Sequence, residues 1–366
     1  EDSLLPANAA AFLACYVEAK GAGALAWVDI ASGGFFCCSL EGEAALEARL
    51  TALQPRELLV ADTPALLAKF AQDRLALMSQ GQASLSTQPK SRFDAKNAHK
   101  KLCDYYGVAT LEGFGDFLPI ELTAAGSLLD YVELTQKGKL PRLDALGRQQ
   151  ESALLQLDAA SLRNLEILTG PDGQRKGSLL DCIDTCVTSA GSRLLGQWIA
   201  RPLAELEPIM ERQHAVGFFV DAGLLRSDLR AGLKGCPDLA RLVSRVSLGR
   251  AGPRDLLAIA NAAQVAQRLS LLLTEATLAL PPRLVEARRA LGDFEELRAS
   301  LQSALNPEAP LLARDGGFIQ PGYHAGLDEL LGLRSESRRL IANLQARYVN
   351  ETGVASLKIK NNNMLG

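Results

Sequence analysis

Aromatic side chains are scarce in this sequence of 366 residues: Phe, Trp and Tyr together make up 5%. The core must be built mainly from aliphatic residues, and the abundant Leu and Ala favour helix. A basic excess is also missing, since 39 Lys and Arg stand against 42 Asp and Glu, a net charge of −3. No global positive field attracts nucleic acid, so any such contact must be local. Histidine occurs only at His99, His214 and His324, each alone in its segment. The seven cysteines are odd in number and form no paired framework, which points to a reducing compartment. Cys182 and Cys186 stand four residues apart, a spacing two ligands of one metal can have. With no histidine beside them, they read as small apolar residues buried on one helix face. No run of about 18 apolar residues is apparent, which argues against a membrane span. The first residues, EDSLLPANAA, are acidic and do not form a secretory leader. They open on Glu1 rather than Met, so the expectation is a cytoplasmic chain trimmed at its front.

Catalytic signatures are missing too. The nearest approach to a phosphate loop is GPDGQRKGS, residues 170–178. A phosphate loop requires G-x-x-x-x-G-K-[ST], because backbone N–H groups must wrap the phosphate ahead of a helix. Here Arg175 occupies the place of the second glycine, and Gly177 separates Lys176 from Ser178, so the stretch reads as a surface loop. Neither G-x-S-x-G nor H-E-x-x-H occurs. Asp29 and Asp62 are the two carboxylates of the first domain that can be weighed as a metal-dependent nuclease pair. Each has a plainer reading: Asp29 lacks a second carboxylate beside it on its strand face, and Asp62 precedes the helix start Thr63-Pro64.

What is present is a change of texture along the chain. Residues 12–19, 24–32 and 33–41 are rich in strand formers and joined by short glycine-bearing links, the pattern of an antiparallel meander. A helix at 43–54 and a buried strand at 57–62 follow, then a helix capped by Thr63, a strand at SLSTQP, and a helix at 94–107 between Asp94 and Gly107. Beyond Leu118 the pattern turns helical, with helices expected at 118–138, 178–203, 206–221, 224–234, 237–246, 253–276 and 282–305. One long amphipathic helix is expected over 328–353, about 39 Å at 1.5 Å per residue. The closing GVASLKIKNNNMLG then reads as the beginning of a strand, with Leu357 and Ile359 alternating with Lys358 and Lys360.

Charge is uneven at this end. From Arg334 onward, Arg334, Arg338, Arg339, Arg347, Lys358 and Lys360 face only Glu336 and Glu351. Such a cluster can contact phosphate, or can be a solvated helix face with local ion pairs; charge alone leaves both open.

Several stretches carry a family likeness. LQLDAASLRNLEIL (155–168), GSLLDCIDTCVTSAGSRLLGQWIARPL (177–203), RDGGFIQPGYHAGLDELL (314–331) and the closing GVASLKIKNNNMLG resemble core segments of the MutS family of DNA mismatch-repair proteins, in order and at similar spacing. WVDIASGGFF (27–36) resembles a strand pair of that family's connector domain. In these stretches Asp158 and Thr188 are placed to cap helices. Leu162, Leu165, Ile167, Leu194, Leu195, Trp198 and Ile199 are expected to be apolar packing positions.

The resemblance implies a multidomain α/β plus all-α chain. A ribonuclease H-like, mixed-sheet connector domain (1–122), without nuclease activity, precedes a helical core/lever domain (123–354) ending in a long helix. Residues 355–366 are the start of a clamp domain. Whole proteins of this kind are homodimers that bind mispaired double-stranded DNA, use ATP and magnesium, and recruit MutL. The resemblance places neither the mismatch-reading domain nor the ATPase domain in this sequence, so no ATP hydrolysis and no cofactor are expected of it. Lys358 and Lys360 fall at the clamp entrance and are the DNA-backbone candidates; the final six to eight residues are expected to be mobile or packed on a neighbour. The alternative is a MutS-related scaffold acting on branched DNA without mismatch reading.

Overall fold

A computed structural model describes residues 11–19, 21–71, 84–136, 140–149 and 153–359. It divides into two compact units, Glu1–Ala251 with Ala258–Arg298, and Gly252–Leu257 with Ala299–Gly366.

The first unit begins with the expected meander. Strands β1 (Phe12–Ala19), β2 (Ala22–Asp29) and β3 (Phe35–Leu40) are antiparallel neighbours. Strand β4 (Glu57–Ala61) joins β1 in parallel, β5 (Ser84–Gln88) joins β4 in parallel, and the short β6 (Gly147–Arg148) runs parallel to β3. The sheet order is β5-β4-β1-β2-β3-β6.

Residues in β1 and β2 are buried on both faces, so these strands read as continuous apolar runs rather than alternating ones. The period of two still sorts them. Leu13, Cys15, Val17, Ala24, Ala26 and Val28 face one core, with Ala124, Leu128 and Val132 of helix Pro119–Thr135. Phe12, Ala14, Tyr16, Leu25 and Trp27 face the other, with Leu46 of helix Gly42–Leu53 and with Leu66 and Phe70 of helix Pro64–Ala71. Helix Ala95–Tyr106 starts where Asp94 accepts from the Asn97 N–H and stops at Gly107, whose φ of +66° suits glycine.

The expected boundary at 122 falls inside helix Pro119–Thr135, which lies on the sheet and belongs with it. A buried charge secures it. Glu121 is fully buried, accepts from the Leu118 N–H at 2.8 Å, and meets the Arg148 guanidinium of β6 at 2.9 Å. A carboxylate so placed costs much to bury unless it is paired, and here both oxygens have donors.

Two expected helices are broken. Residues 178–203 form helix Leu179–Ile183 and helix Ser189–Ala200. Between them the Asp184 carboxylate accepts from the Cys186 N–H, and Thr188 caps the second helix through the Gly191 N–H. Residues 282–305 form Pro282–Ala290 and Glu295–Ala304, separated where Gly292 takes φ +65° and Asp293 accepts from the Glu295 N–H.

Helix Pro253–Thr274 corrects the reading of apolar runs, since by length and composition it is apolar enough to cross a membrane. Its Leu269 and Leu273 are buried in a cluster with Leu229, and Arg268 lies in the same stretch.

In the second unit, Leu305 and Ile319 form an antiparallel bridge, and the Gln320 N–H bonds the Ala304 carbonyl at 2.9 Å. The long helix runs Ala325–Thr352, 28 residues or about 42 Å at 1.5 Å per residue. His324 caps its start through Nδ1, which accepts from the Leu327 N–H at 3.2 Å, and Gly353 at φ +70° ends it. The strand expected next does not form among residues 353–359. The Ile359 N–H instead donates to the Gln345 side-chain oxygen at 3.0 Å, so the chain turns back along the helix it has just left. The expectation for the last six to eight residues falls almost wholly outside the described residues.

Candidate nucleic-acid interface and the joint behind it

Lys358 is exposed, one residue before the Ile359–Gln345 contact. That contact holds it beside the last two turns of the long helix, where Arg347 pairs with Glu351 at 2.7 Å on the surface. An exposed i,i+4 pair of this kind contributes little to stability and leaves both groups in water. Lys358 can offer a cation to a phosphate, a contact that carries no base sequence information. Lys360 lies outside the described residues.

The other sequence candidates are dispersed. The buried Asp29 organises the β2–β3 turn, accepting from the Ala31 N–H at 3.1 Å and the Ser32 hydroxyl at 2.7 Å. It pairs with Phe12, beside the Glu57 end of β4, whereas Asp62 follows the other end of that strand. Five residues of strand separate those ends by about 16 Å, far beyond the spacing of carboxylates that share two metals. Among the described residues, no group of three or more His, Cys, Asp or Glu is placed to hold a metal ion.

Cys182 and Cys186 depart from expectation: both are exposed, and only Cys182 lies on helix Leu179–Ile183. The expected apolar face 194–199 is also more open than foreseen. Leu194 and Trp198 are exposed, and the Arg212 guanidinium lies 3.6 Å above the Trp198 ring. Partial burial, then repulsion from Arg283, lowers the Arg212 pKa. Leu162 and Ile167 are buried as expected, while Leu165 is exposed.

The loop 170–178 is occupied by its own contacts. The Gly170 N–H bonds the Gln174 carbonyl at 2.8 Å, and the fully buried Ser178 caps the following helix. Arg175 reaches Asp184, which also accepts from the Ser192 hydroxyl. Partial burial works to raise the Asp184 pKa, but the hydrogen bonds from Ser192, Cys186 and Arg175 outweigh it and hold the carboxyl at about 2.

Sequence reading missed a set of polar contacts between the α/β part of the first unit and its helices. The Gln149 N–H bonds the Cys37 carbonyl at 2.9 Å, extending the β3–β6 pairing by one step. The Gln149 side-chain oxygen accepts from Arg49 at 2.6 Å and from Arg201 at 2.9 Å. Arg49, on helix Gly42–Leu53, is buried and lies 4.1 Å over the Trp27 ring. Arg201 caps the end of helix Ser189–Ala200. Next to it, the Leu155 N–H bonds the Pro202 carbonyl and the Ala204 N–H bonds the Ala153 carbonyl.

A second seam runs through helix Leu239–Ser247. Its Ser244 hydroxyl donates to the Ile30 carbonyl at 3.1 Å, and its Ser247 hydroxyl accepts from the Arg142 N–H at 3.1 Å. No spacing rule links residues so far apart, so only their hydrogen-bonding capacity was visible in sequence.

Fold and surface together define a modular protein: an α/β domain tied by polar contacts to a set of helices, with a long helix and a basic tail in the second unit. Two family models match the chain in order, MutS domain II over residues 11–144 and MutS domain III over residues 160–359. The chain belongs to the MutS family. It is 45% identical over 366 residues to the DNA mismatch repair protein MutS of Ruegeria pomeroyi, covering all of this chain and 41% of that protein. It is 43% identical over 372 residues to the protein of the same name from Cereibacter sphaeroides, covering 40% of it. A third, from Rhodopseudomonas palustris, is 39% identical over 373 residues, again with all of this chain and 40% of the relative covered. The chain thus spans about two-fifths of the length of the curated relatives it matches.

Proposed function

We propose that this chain is the connector and core/lever part of a DNA mismatch-repair recognition protein, coupling DNA contact to the rest of that protein. The observation that carries the reading is 45% identity over the whole chain to a protein named for mismatch repair. The strand order β5-β4-β1-β2-β3, with β1 to β3 antiparallel and β4 and β5 parallel, supports a ribonuclease H-like connector. The match to MutS domain II through residue 144 and the pairing of β6 with β3 support drawing the division from the core after β6. Residues 355–366 begin the clamp.

The whole protein binds mispaired double-stranded DNA as a homodimer in the cytoplasm, uses ATP with magnesium, and recruits MutL. The region in hand supplies mechanical coupling, and its contribution to DNA binding is backbone contact by Lys358 and Lys360.

Two measurements test this. Isothermal titration of the chain with ATP and magnesium gives no binding heat; measurable ATP binding overturns the assignment. Fluorescence polarisation on labelled duplex, between 50 and 200 mM salt, reads the tail. Lys358→Glu weakens binding on every sequence alike and lowers the slope of log affinity against log salt by about 0.9 per lost phosphate contact. An unchanged slope removes Lys358 from the interface.

A further inference from the structure

Gln149 occupies an unusual place in the first unit. Its backbone is built into the sheet edge through Cys37, while one side-chain oxygen accepts from two guanidiniums on different parts of the fold. On one side, Arg49 rests on the Trp27 ring inside the α/β domain. On the other, Arg201 ends a helix of the helical part, beside the short ladder that 153–155 makes with 202–204. An amide oxygen has two lone pairs, so it can serve both donors at once, and each bond is strengthened by the charge of its guanidinium.

We propose that Gln149 is a positioning residue, the bridge that fixes helix Ser189–Ala200 against helix Gly42–Leu53 and transmits a displacement of one to the other. This deepens the coupling role proposed above and rests on it for its biological meaning. The physical claim stands on the geometry alone. Helix Gly42–Leu53 also meets helix Ser189–Ala200 directly, so packing is the rival route for the same communication.

The experiment is amide hydrogen exchange on the 366-residue chain with Arg201→Ala, Gln149→Ala, the double variant and Gln149→Glu. Arg201→Ala is expected to speed exchange in helix Gly42–Leu53 about fivefold, the order set by one net hydrogen bond. In the Gln149→Ala background the same change is expected to add nothing, because the bridge is already gone. Gln149→Glu puts a carboxylate between the two guanidiniums and is expected to slow exchange in both helices. The proposal is overturned if Arg201→Ala leaves helix Gly42–Leu53 unchanged, if its effect persists without Gln149, or if Gln149→Glu behaves like Gln149→Ala. Should Gln149→Ala fail to fold, Gln149→Asn, which keeps the amide but withdraws it by one methylene, replaces it in the same cycle. None of these readouts involves DNA, so failure of the duplex-binding test leaves this result standing, and the reverse.

Discussion

Gly126 and Ala98 bring two helices into backbone contact. A Cβ on Gly126 would stand 2.5 Å from the Ala98 Cα, a separation real Cβ atoms do not tolerate. Helices Pro119–Thr135 and Ala95–Tyr106 approach this closely because the crossing point has no side chain on one partner. Gly126→Ala must push them apart and disturb the core beneath. Overpacking of this kind costs about 1–3 kcal/mol, despite the better helix propensity of alanine. Urea unfolding monitored by circular dichroism checks it; a midpoint at or above that of the parent refutes the close contact.

Asp184 gives the fold an acid-sensitive link. Its pKa is about 2, below the ordinary 3.8, so the folded state favours the charged form. The stabilisation it supplies is complete above pH 4 and drains away as pH falls towards 2. Asp184→Asn is therefore expected to lower the melting temperature at pH 6, with the gap to the parent shrinking between pH 4 and pH 2. A gap independent of pH assigns the loss to packing instead.

The cap on the long helix is the His324 ring, whose Nδ1 accepts from the Leu327 N–H. His324→Ala removes the acceptor for the Leu327 N–H and is expected to cost about 1 kcal/mol locally. His324→Asp restores an acceptor and adds a negative charge at the positive end of the helix, and is expected to match or exceed the parent. Exchange rates at the Leu327 and Asp328 amides report the result. Equal rates in all three forms mean that the helix start is held by other means.

Thiol accessibility separates the cysteines. Cys15, Cys37, Cys38 and Cys103 are buried, and burial pushes the Cys15 and Cys37 thiols strongly upward. Cys182 and Cys186 are exposed, the latter with its pKa raised by partial burial and by Asp184. A thiol-reactive dye at pH 8 is expected to label Cys182 first and Cys186 next, with the four buried thiols reacting only on unfolding. Early labelling of Cys15 or Cys37 contradicts the sheet packing.

Much of the fold was legible in local pattern. Strand β1 and helix Leu206–Asp221 have the bounds their hydrophobic pattern announces, and Asp94, Asp158 and Thr188 cap as their positions require. These features depend on residues within four positions of one another, where backbone geometry and side-chain chemistry set the outcome. The family likeness was legible for a related reason, since ordered segments are themselves sequence. For the candidate interface, local pattern placed Lys358 beyond the long helix but not the return of the chain onto Gln345, a side chain 14 residues earlier.

Other features were settled only by folding. Packing of helix Pro119–Thr135 on the sheet brings Glu121 to Arg148, and the helix expected over 178–203 breaks where Asp184 draws in Arg175 and Ser192. The joint at Gln149 unites Arg49 and Arg201, and Ser244 meets Ile30 across 214 residues of chain. Buried polar groups must find partners wherever packing offers them, and packing brings together residues that no periodicity connects. Composition, punctuation and kinship thus belonged to the linear chain, while the partners of its buried charges and the seam between its domains belonged to the folded one.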